Sequence, residues 1–129
     1  MDEKRVPRVL IVDDEQETTD SFARMLRLEG YEVDTALDSE TGLRVAMSGD
    51  SFDAVLLDLV MPLVDGLEFL RRLRTAPSCY HTPVAIVTGN YLIDDETVAE
   101  LSRLGAVVRF KPLWLEDLTE LTHMLVHSR

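Results

Sequence analysis

The chain has 129 residues, which is enough for one domain with a hydrophobic core and too few for two ordinary domains. Its 24 acidic and 13 basic side chains give a net charge of −11, which argues against direct binding of nucleic acid, because phosphate contacts need a basic face. No apolar run approaches the roughly 20 residues of a transmembrane helix, and one cysteine, Cys79, can form no intramolecular disulfide. We therefore expect a cytoplasmic protein without a membrane anchor.

Five short segments have the composition of β-strands. Apolar runs predict buried strands at residues 9–12, 53–58, 83–88 and 107–110, and residues 32–36 form a more polar segment that is typical of an edge strand. Continuous apolar runs are typical of strands that are buried on both faces, as in a parallel sheet.

Helical patterns lie between and after these strands. The helix-spaced apolar side chains are Phe22, Met25 and Leu26; Leu43, Ala46 and Met47; Leu67, Leu70 and Leu73; Val98, Leu101 and Leu104; and Leu118, Leu121 and Leu125. Gly30, Gly49 and Gly105 stand where helices end. Five β-α units with right-handed crossovers predict a doubly wound α/β sheet with helices on both faces. We expect residues 1–7 to be a lead-in and residues 8–129 to form the domain.

Chemically useful side chains follow four of the predicted strands. Asp13 and Asp14 follow the first, Asp58 ends the third, Thr88 ends the fourth and Lys111 follows the fifth. Ligands of open α/β sheets bind at the carboxyl ends of the strands, so these groups are expected to meet. An aspartate at a strand end is often only a turn or cap residue, but such a set of oxygens without histidine or thiolate suits Mg²⁺ or Mn²⁺. With a lysine, it suits phosphoryl transfer to a carboxylate.

Four segments carry a resemblance to a known family: VLIVDDE at 9–15, DAVLLDLVMPLVDG at 53–66, VAIVTG at 84–89 and FKP at 110–112. Together they resemble the receiver domain of two-component response regulators, in the CheY-like superfamily, over about residues 8–125. The resemblance implies a flavodoxin-like (βα)5 fold with a parallel five-stranded sheet in the order 2-1-3-4-5. It also implies a phosphoprotein that takes part in signal transduction.

The resemblance implies a metal site. Asp14 would bind Mg²⁺ directly and Asp13 would bind it directly or through water. Asp58 and the backbone carbonyl of Val60 would complete the protein ligands.

The resemblance also assigns the phosphoryl chemistry. Asp58 would be the phosphoacceptor, Thr88 would hydrogen-bond the phosphoryl group, and Lys111 would bridge Asp58 and the phosphoryl oxygens, with a cis bond to Pro112. The donor would be a histidine kinase or a phosphotransfer protein, and the face of helix 4, strand 5 and helix 5 would switch for a partner, an output domain or a second copy. Such a domain catalyses only its own phosphorylation and dephosphorylation, so it is not an enzyme in the usual sense.

One position departs from the family pattern. The family usually has an aromatic residue three positions before the lysine, where this chain has Val108, so a binding module that needs no phosphate stays a rival. Tyr91 is a possible substitute, and Trp114 belongs either to the core or to a partner surface. A magnesium-dependent phosphohydrolase is a second rival, although its usual second aspartate is replaced by Val60.

Overall fold

The sheet has five parallel strands. The computed structural model describes residues 5–49 and 51–128. Its strands are β1 (Arg8–Val12), β2 (Glu32–Ala36), β3 (Ala54–Leu57), β4 (Val84–Thr88) and β5 (Ala106–Phe110). They are hydrogen-bonded in the order β2-β1-β3-β4-β5, and each pair is parallel. The flavodoxin-like order expected from the resemblance is confirmed.

Five α-helices connect the strands and close the chain. They are α1 (Gln16–Leu28), α2 (Ser39–Ala46), α3 (Gly66–Leu73), α4 (Asp95–Arg103) and α5 (Leu115–Val126). Gly30 and Gly105 follow α1 and α4 with φ of 97° and 83°, a left-handed conformation that costs a glycine little and ends a helix. None of the described helices is long and apolar enough to span a bilayer.

The helices cover the sheet in two layers, which gives the core two halves. One half joins the sheet to α2, α3 and α4 through side chains such as Leu10, Phe69 and Leu101. The other joins it to α1 and α5 through side chains such as Ile11 and Leu118. The alternation along β1 sends successive side chains into opposite halves. The helices thus cover both faces of the sheet.

The amino-terminal edge is held by an ion pair. Residues 1–4 of the expected lead-in lie outside the described residues, but Arg5 donates two hydrogen bonds, of 2.8 and 3.0 Å, to the buried carboxylate of Asp53. The same carboxylate accepts the backbone N–H of Arg8 at 2.8 Å. The division of the chain at residue 8 stays a prediction.

Candidate functional site

Three carboxylates meet at the carboxyl edge of the sheet. Asp13 and Asp14 directly follow β1, and Asp58 directly follows β3, the neighbouring strand. Oxygen atoms of all three lie within 4.8 Å of one another. Asp13 and Asp58 are buried, whereas Asp14 is exposed. The backbone N–H of Asp58 donates to the carbonyl of Val12 at 2.9 Å, so pairing between β1 and β3 holds the acids together.

Lys111 brings the positive charge. Its Nζ lies 2.7 Å from Oδ2 of Asp13 and 4.0 Å from Oδ2 of Asp58. Its ammonium therefore makes its direct hydrogen bond to Asp13, and only a longer ion pair to Asp58. Asp13 also accepts the backbone N–H of Glu15 through its other oxygen, at 2.9 Å. Glu15 itself caps the start of α1 with its backbone.

Asp58 is an acid whose pKa is raised by burial. Burial raises its pKa from the ordinary 3.8 to about 6, and the charges of Asp13 and Asp14 act in the same direction. The ammonium of Lys111 lowers the pKa of Asp58, but by less than burial raises it. Asp58 is thus a carboxylate that still ionises at neutral pH and gains from any further positive charge nearby.

Thr88 and Lys111 are joined through their backbones. Thr88 ends β4, is 1% exposed, and accepts the backbone N–H of Lys111 on its carbonyl at 2.9 Å. Its hydroxyl accepts the backbone N–H of Asn90 at 3.1 Å. The peptide bond between Lys111 and Pro112 is cis, as the resemblance implied. All five residues expected at this edge are therefore found at the ends of β1, β3, β4 and β5.

A close backbone approach behind Asp58 explains one glycine. The N–H of Gly66 donates to the carbonyl of Leu59 at 2.8 Å, which docks the start of α3 on the loop after β3. A Cβ at Gly66 would stand 2.4 Å from the carbonyl oxygen of Asp58, a distance that real contacts do not reach. The glycine therefore fixes the main chain that carries the candidate phosphoacceptor.

The donor set fits a small divalent cation. The three carboxylates offer only oxygen atoms as ligands, which suits such a cation. Two of the carboxylates are buried, and a buried pair of ionised carboxylates needs a counter-charge. Val60, the fourth expected ligand through its carbonyl, lies two residues after Asp58 with its side chain 60% exposed. The assigned roles of these residues stay predictions.

The position that departs from the family pattern is filled by packing. Val108 is partly buried against the half of the core that carries α2, α3 and α4. Tyr91 instead lies at the surface, with its ring stacked on Phe110 and its hydroxyl donating to the carbonyl of Lys111. Trp114 is 68% exposed, so of the two expectations for it the core placement is wrong.

Two contacts of this site went unpredicted. The preference of Lys111 for Asp13 over Asp58 depends on side-chain rotamers, for which the sequence holds no signal. The close approach at Gly66 has a signal in the sequence, namely the Asp65-Gly66 pair that follows Met61-Pro62.

The comparisons agree with the geometry. A family model described as the response regulator receiver domain matches residues 9–123. The transcriptional regulatory protein PrrA of Mycobacterium bovis is 36% identical over 123 residues, which are 95% of this chain and 51% of PrrA. Chemotaxis protein CheY4 of Vibrio cholerae is 29% identical and superposes with a TM-score of 0.85, covering 94% of this chain and 99% of CheY4. A CheY-like receiver domain protein of Methanospirillum hungatei is 28% identical with a TM-score of 0.86, covering 96% of each chain. The chain spans about half the length of PrrA.

Proposed function

We propose, since the chain belongs to the response regulator receiver domain family, that Asp58 accepts a phosphoryl group from a phosphohistidine of a kinase or phosphotransfer protein. The observation that carries the proposal is the meeting of Asp13, Asp14 and Asp58 within 4.8 Å, beside the ammonium of Lys111.

The metal that suits this chemistry is Mg²⁺, with Mn²⁺ as a substitute. Asp13, Asp14, Asp58 and the carbonyl of Val60 would hold it, and when bound it supplies positive charge beside the transferred phosphoryl oxygens. The three carboxylates form an acidic cluster that is compatible with such an ion.

The transfer needs an ionised Asp58. One of its carboxylate oxygens attacks phosphorus, an O–P bond forms, and the P–N bond breaks with its electron pair returning to the imidazole of the donor. A pKa of about 6 leaves Asp58 mostly ionised at pH 7.5. Lys111 needs to move its Nζ only a short way from Asp13 to reach phosphoryl oxygens on Asp58, since the two carboxylates lie 2.7 and 4.0 Å from it. Thr88, on the next strand, donates its hydroxyl to the same group.

The signal would leave through the face of α4, β5 and α5. Exposed apolar side chains lie along it at Val98, Phe110, Trp114 and Leu115. A phosphoryl group adds roughly one negative charge and three acceptor oxygens. These oxygens draw Thr88 and Lys111 towards Asp58, and this movement changes the face. A partner protein, an output domain or a second copy of the chain is the proposed reader.

The relatives bear on the expected absence of nucleic-acid contacts. PrrA is named a transcriptional regulator, and this chain covers only half of it. The relatives therefore give the expectation no support, and it rests on the charge of −11 alone.

Mass measurement after treatment with a small phosphodonor tests the proposal. The protein is incubated with Mg²⁺ and acetyl phosphate, and its intact mass is compared with those of Asp58→Asn and Asp20→Asn, the latter removing an exposed acid of α1. We expect the wild type and Asp20→Asn to gain one phosphoryl group each and Asp58→Asn to gain none. We also expect EDTA to abolish the reaction. A wild-type protein that gains no phosphoryl group would contradict the proposal and leave the phosphate-independent binding module. Repeated turnover of p-nitrophenyl phosphate would instead favour the phosphohydrolase.

A further inference from the structure

Both backbone polar groups of Lys111 are bound by the end of β4 and the loop that follows it. Its N–H donates to the carbonyl of Thr88 at 2.9 Å, and its carbonyl accepts the hydroxyl of Tyr91. Thr88 and Lys111 are the residues proposed to contact the phosphoryl group from two different strands. Two hydrogen bonds, one through the N–H of Lys111 and one through its carbonyl, therefore fix the position of Lys111 relative to Thr88.

The Tyr91 ring has a second contact, with the last residue of β5. It stacks on Phe110, with centroids 5.3 Å apart and the planes inclined by 27°. Phe110 directly precedes Lys111 and is 42% exposed, and Tyr91 is 63% exposed. Neither ring fills the core, so the stack serves to hold the loop after β4 against the end of β5 rather than to bury apolar area.

The loop that carries Tyr91 is ordered by its own polar contacts. The hydroxyl of Thr88 accepts the N–H of Asn90 at 3.1 Å, and the side-chain oxygen of Asn90 accepts the N–H of Leu92 at 3.1 Å. Tyr91 lies between these contacts. The Thr88 hydroxyl is thus linked, through the N–H of Asn90, to the neighbouring Tyr91, whose hydroxyl binds the carbonyl of Lys111.

We propose that Tyr91 is a positioning residue of the phosphoryl site, and that its hydroxyl holds Lys111 in the register with Thr88 that binding of the phosphoryl group requires. This inference rests on the proposed function. Without the hydroxyl, Lys111 and the residues after it must be ordered when the phosphoryl group arrives, and the cost of ordering them lowers the affinity for that group. One solvent-accessible hydrogen bond corresponds to about a threefold to tenfold change.

The test uses beryllofluoride, a mimic of an acyl phosphate, in the presence of Mg²⁺. The full chain is titrated as wild type, Tyr91→Phe, Tyr91→Leu and Tyr80→Phe. Trp114, the one tryptophan of the sequence, lies three residues after Lys111 and reports binding by its fluorescence. Tyr80 is a matched control because it is also exposed and stacked, on His81, but its loop precedes β4 at the other edge of the sheet.

The proposal requires the hydroxyl and not the ring alone. Tyr91→Phe should bind beryllofluoride threefold to tenfold more weakly and react more slowly with acetyl phosphate. It should melt within about 2 °C of the wild type, since surface substitutions usually change the free energy of unfolding by no more than about 0.5 kcal/mol. Tyr80→Phe should match the wild type in both assays. A merely structural role would lower the melting temperature without changing affinity.

Three results would overturn the proposal. Tyr91→Phe binding within 1.5-fold of the wild type would show that the hydroxyl is not used. A loss confined to Tyr91→Leu would assign the effect to ring packing alone. A wild-type protein that binds no beryllofluoride and gains no phosphoryl group would reject the proposed function and this inference with it, whereas the first two results leave the proposed function standing.

Discussion

Replacing Asp58 by asparagine is expected to stabilise the protein at neutral pH when no divalent ion is present. The substitution keeps the size of the side chain and removes a charge that is poorly solvated. In the folded protein the pKa of Asp58 is about 6, against 3.8 for an ordinary aspartate, because burial opposes its ionisation. The folded state therefore binds the proton more tightly than the unfolded state does.

The sign and the size follow from this difference. The stabilising contribution of the protonated carboxyl is present below about pH 4 and is lost as the pH rises through 6. Each factor of ten in proton affinity corresponds to about 1.4 kcal/mol, so the raised pKa of Asp58 lowers the free energy of unfolding by about 3 kcal/mol at pH 7.5 and about 1 kcal/mol at pH 4.5. For a domain of this size, about 3 kcal/mol corresponds to roughly 9 °C in the melting temperature.

Thermal melting in EDTA measures the effect directly. Asp58→Asn should melt well above the wild type at pH 7.5, and the gap should shrink towards pH 4.5. Asp20→Asn, which removes an exposed charge, should show little gap at either pH. Excess Mg²⁺ should raise the wild type towards the variant. A variant no more stable than Asp20→Asn at pH 7.5 would refute the assigned burial cost of Asp58.

Three further substitutions probe the same edge of the sheet. Gly66→Ala should lower the free energy of unfolding by about 2–3 kcal/mol in urea titrations, because its Cβ would meet the backbone of Asp58. Gly89→Ala should change the free energy of unfolding little, because no atom lies within 4 Å of the added carbon. Equal effects of the two substitutions would contradict the close approach. Lys111→Met should raise the pKa of Asp58 above about 6, since the ammonium of Lys111 lowers this pKa. NMR titration of the Asp58 carboxyl carbon measures the change, and an unchanged or lower pKa would refute the prediction. Asp14→Ala should weaken Mg²⁺ binding by calorimetry and leave the circular dichroism spectrum unchanged, and an unaltered affinity would remove it from the metal ligands.

The fold was accessible from sequence because parallel strands and amphipathic helices have strong periodic signals. Apolar runs located four of the strands, and a more polar segment located β2, each to within about a residue at each end. Strands such as β3 and β4, which are buried on both faces, have no polar alternation to obscure their apolar runs. Gly30 and Gly105 marked helix ends because a left-handed residue there has few substitutes. The doubly wound topology then followed from crossover handedness.

The site was accessible in outline for a different reason. The strand-end rule brings Asp13, Asp58 and Lys111 to one edge whatever their rotamers. Which oxygen the ammonium of Lys111 contacts, and where the hydroxyl of Tyr91 donates, depend on side-chain torsions and on loop conformation, which short sequence patterns do not encode. The same holds for Trp114, whose exposure is set by the turn before α5.

Under the proposed function, the hydrogen bond between Lys111 and Asp13 would make the lysine a competitor of the metal for that carboxylate. If Asp13 is a metal ligand as proposed, an incoming cation would compete with an ammonium already 2.7 Å away, and the unphosphorylated site would hold a divalent ion less tightly than its carboxylates alone. A phosphoryl group on Asp58 offers Lys111 another acceptor and removes this competition. By thermodynamic linkage, metal and phosphoryl group then raise each other's affinity by the same factor. Under the proposed function, the pair makes metal retention a property of the phosphorylated state.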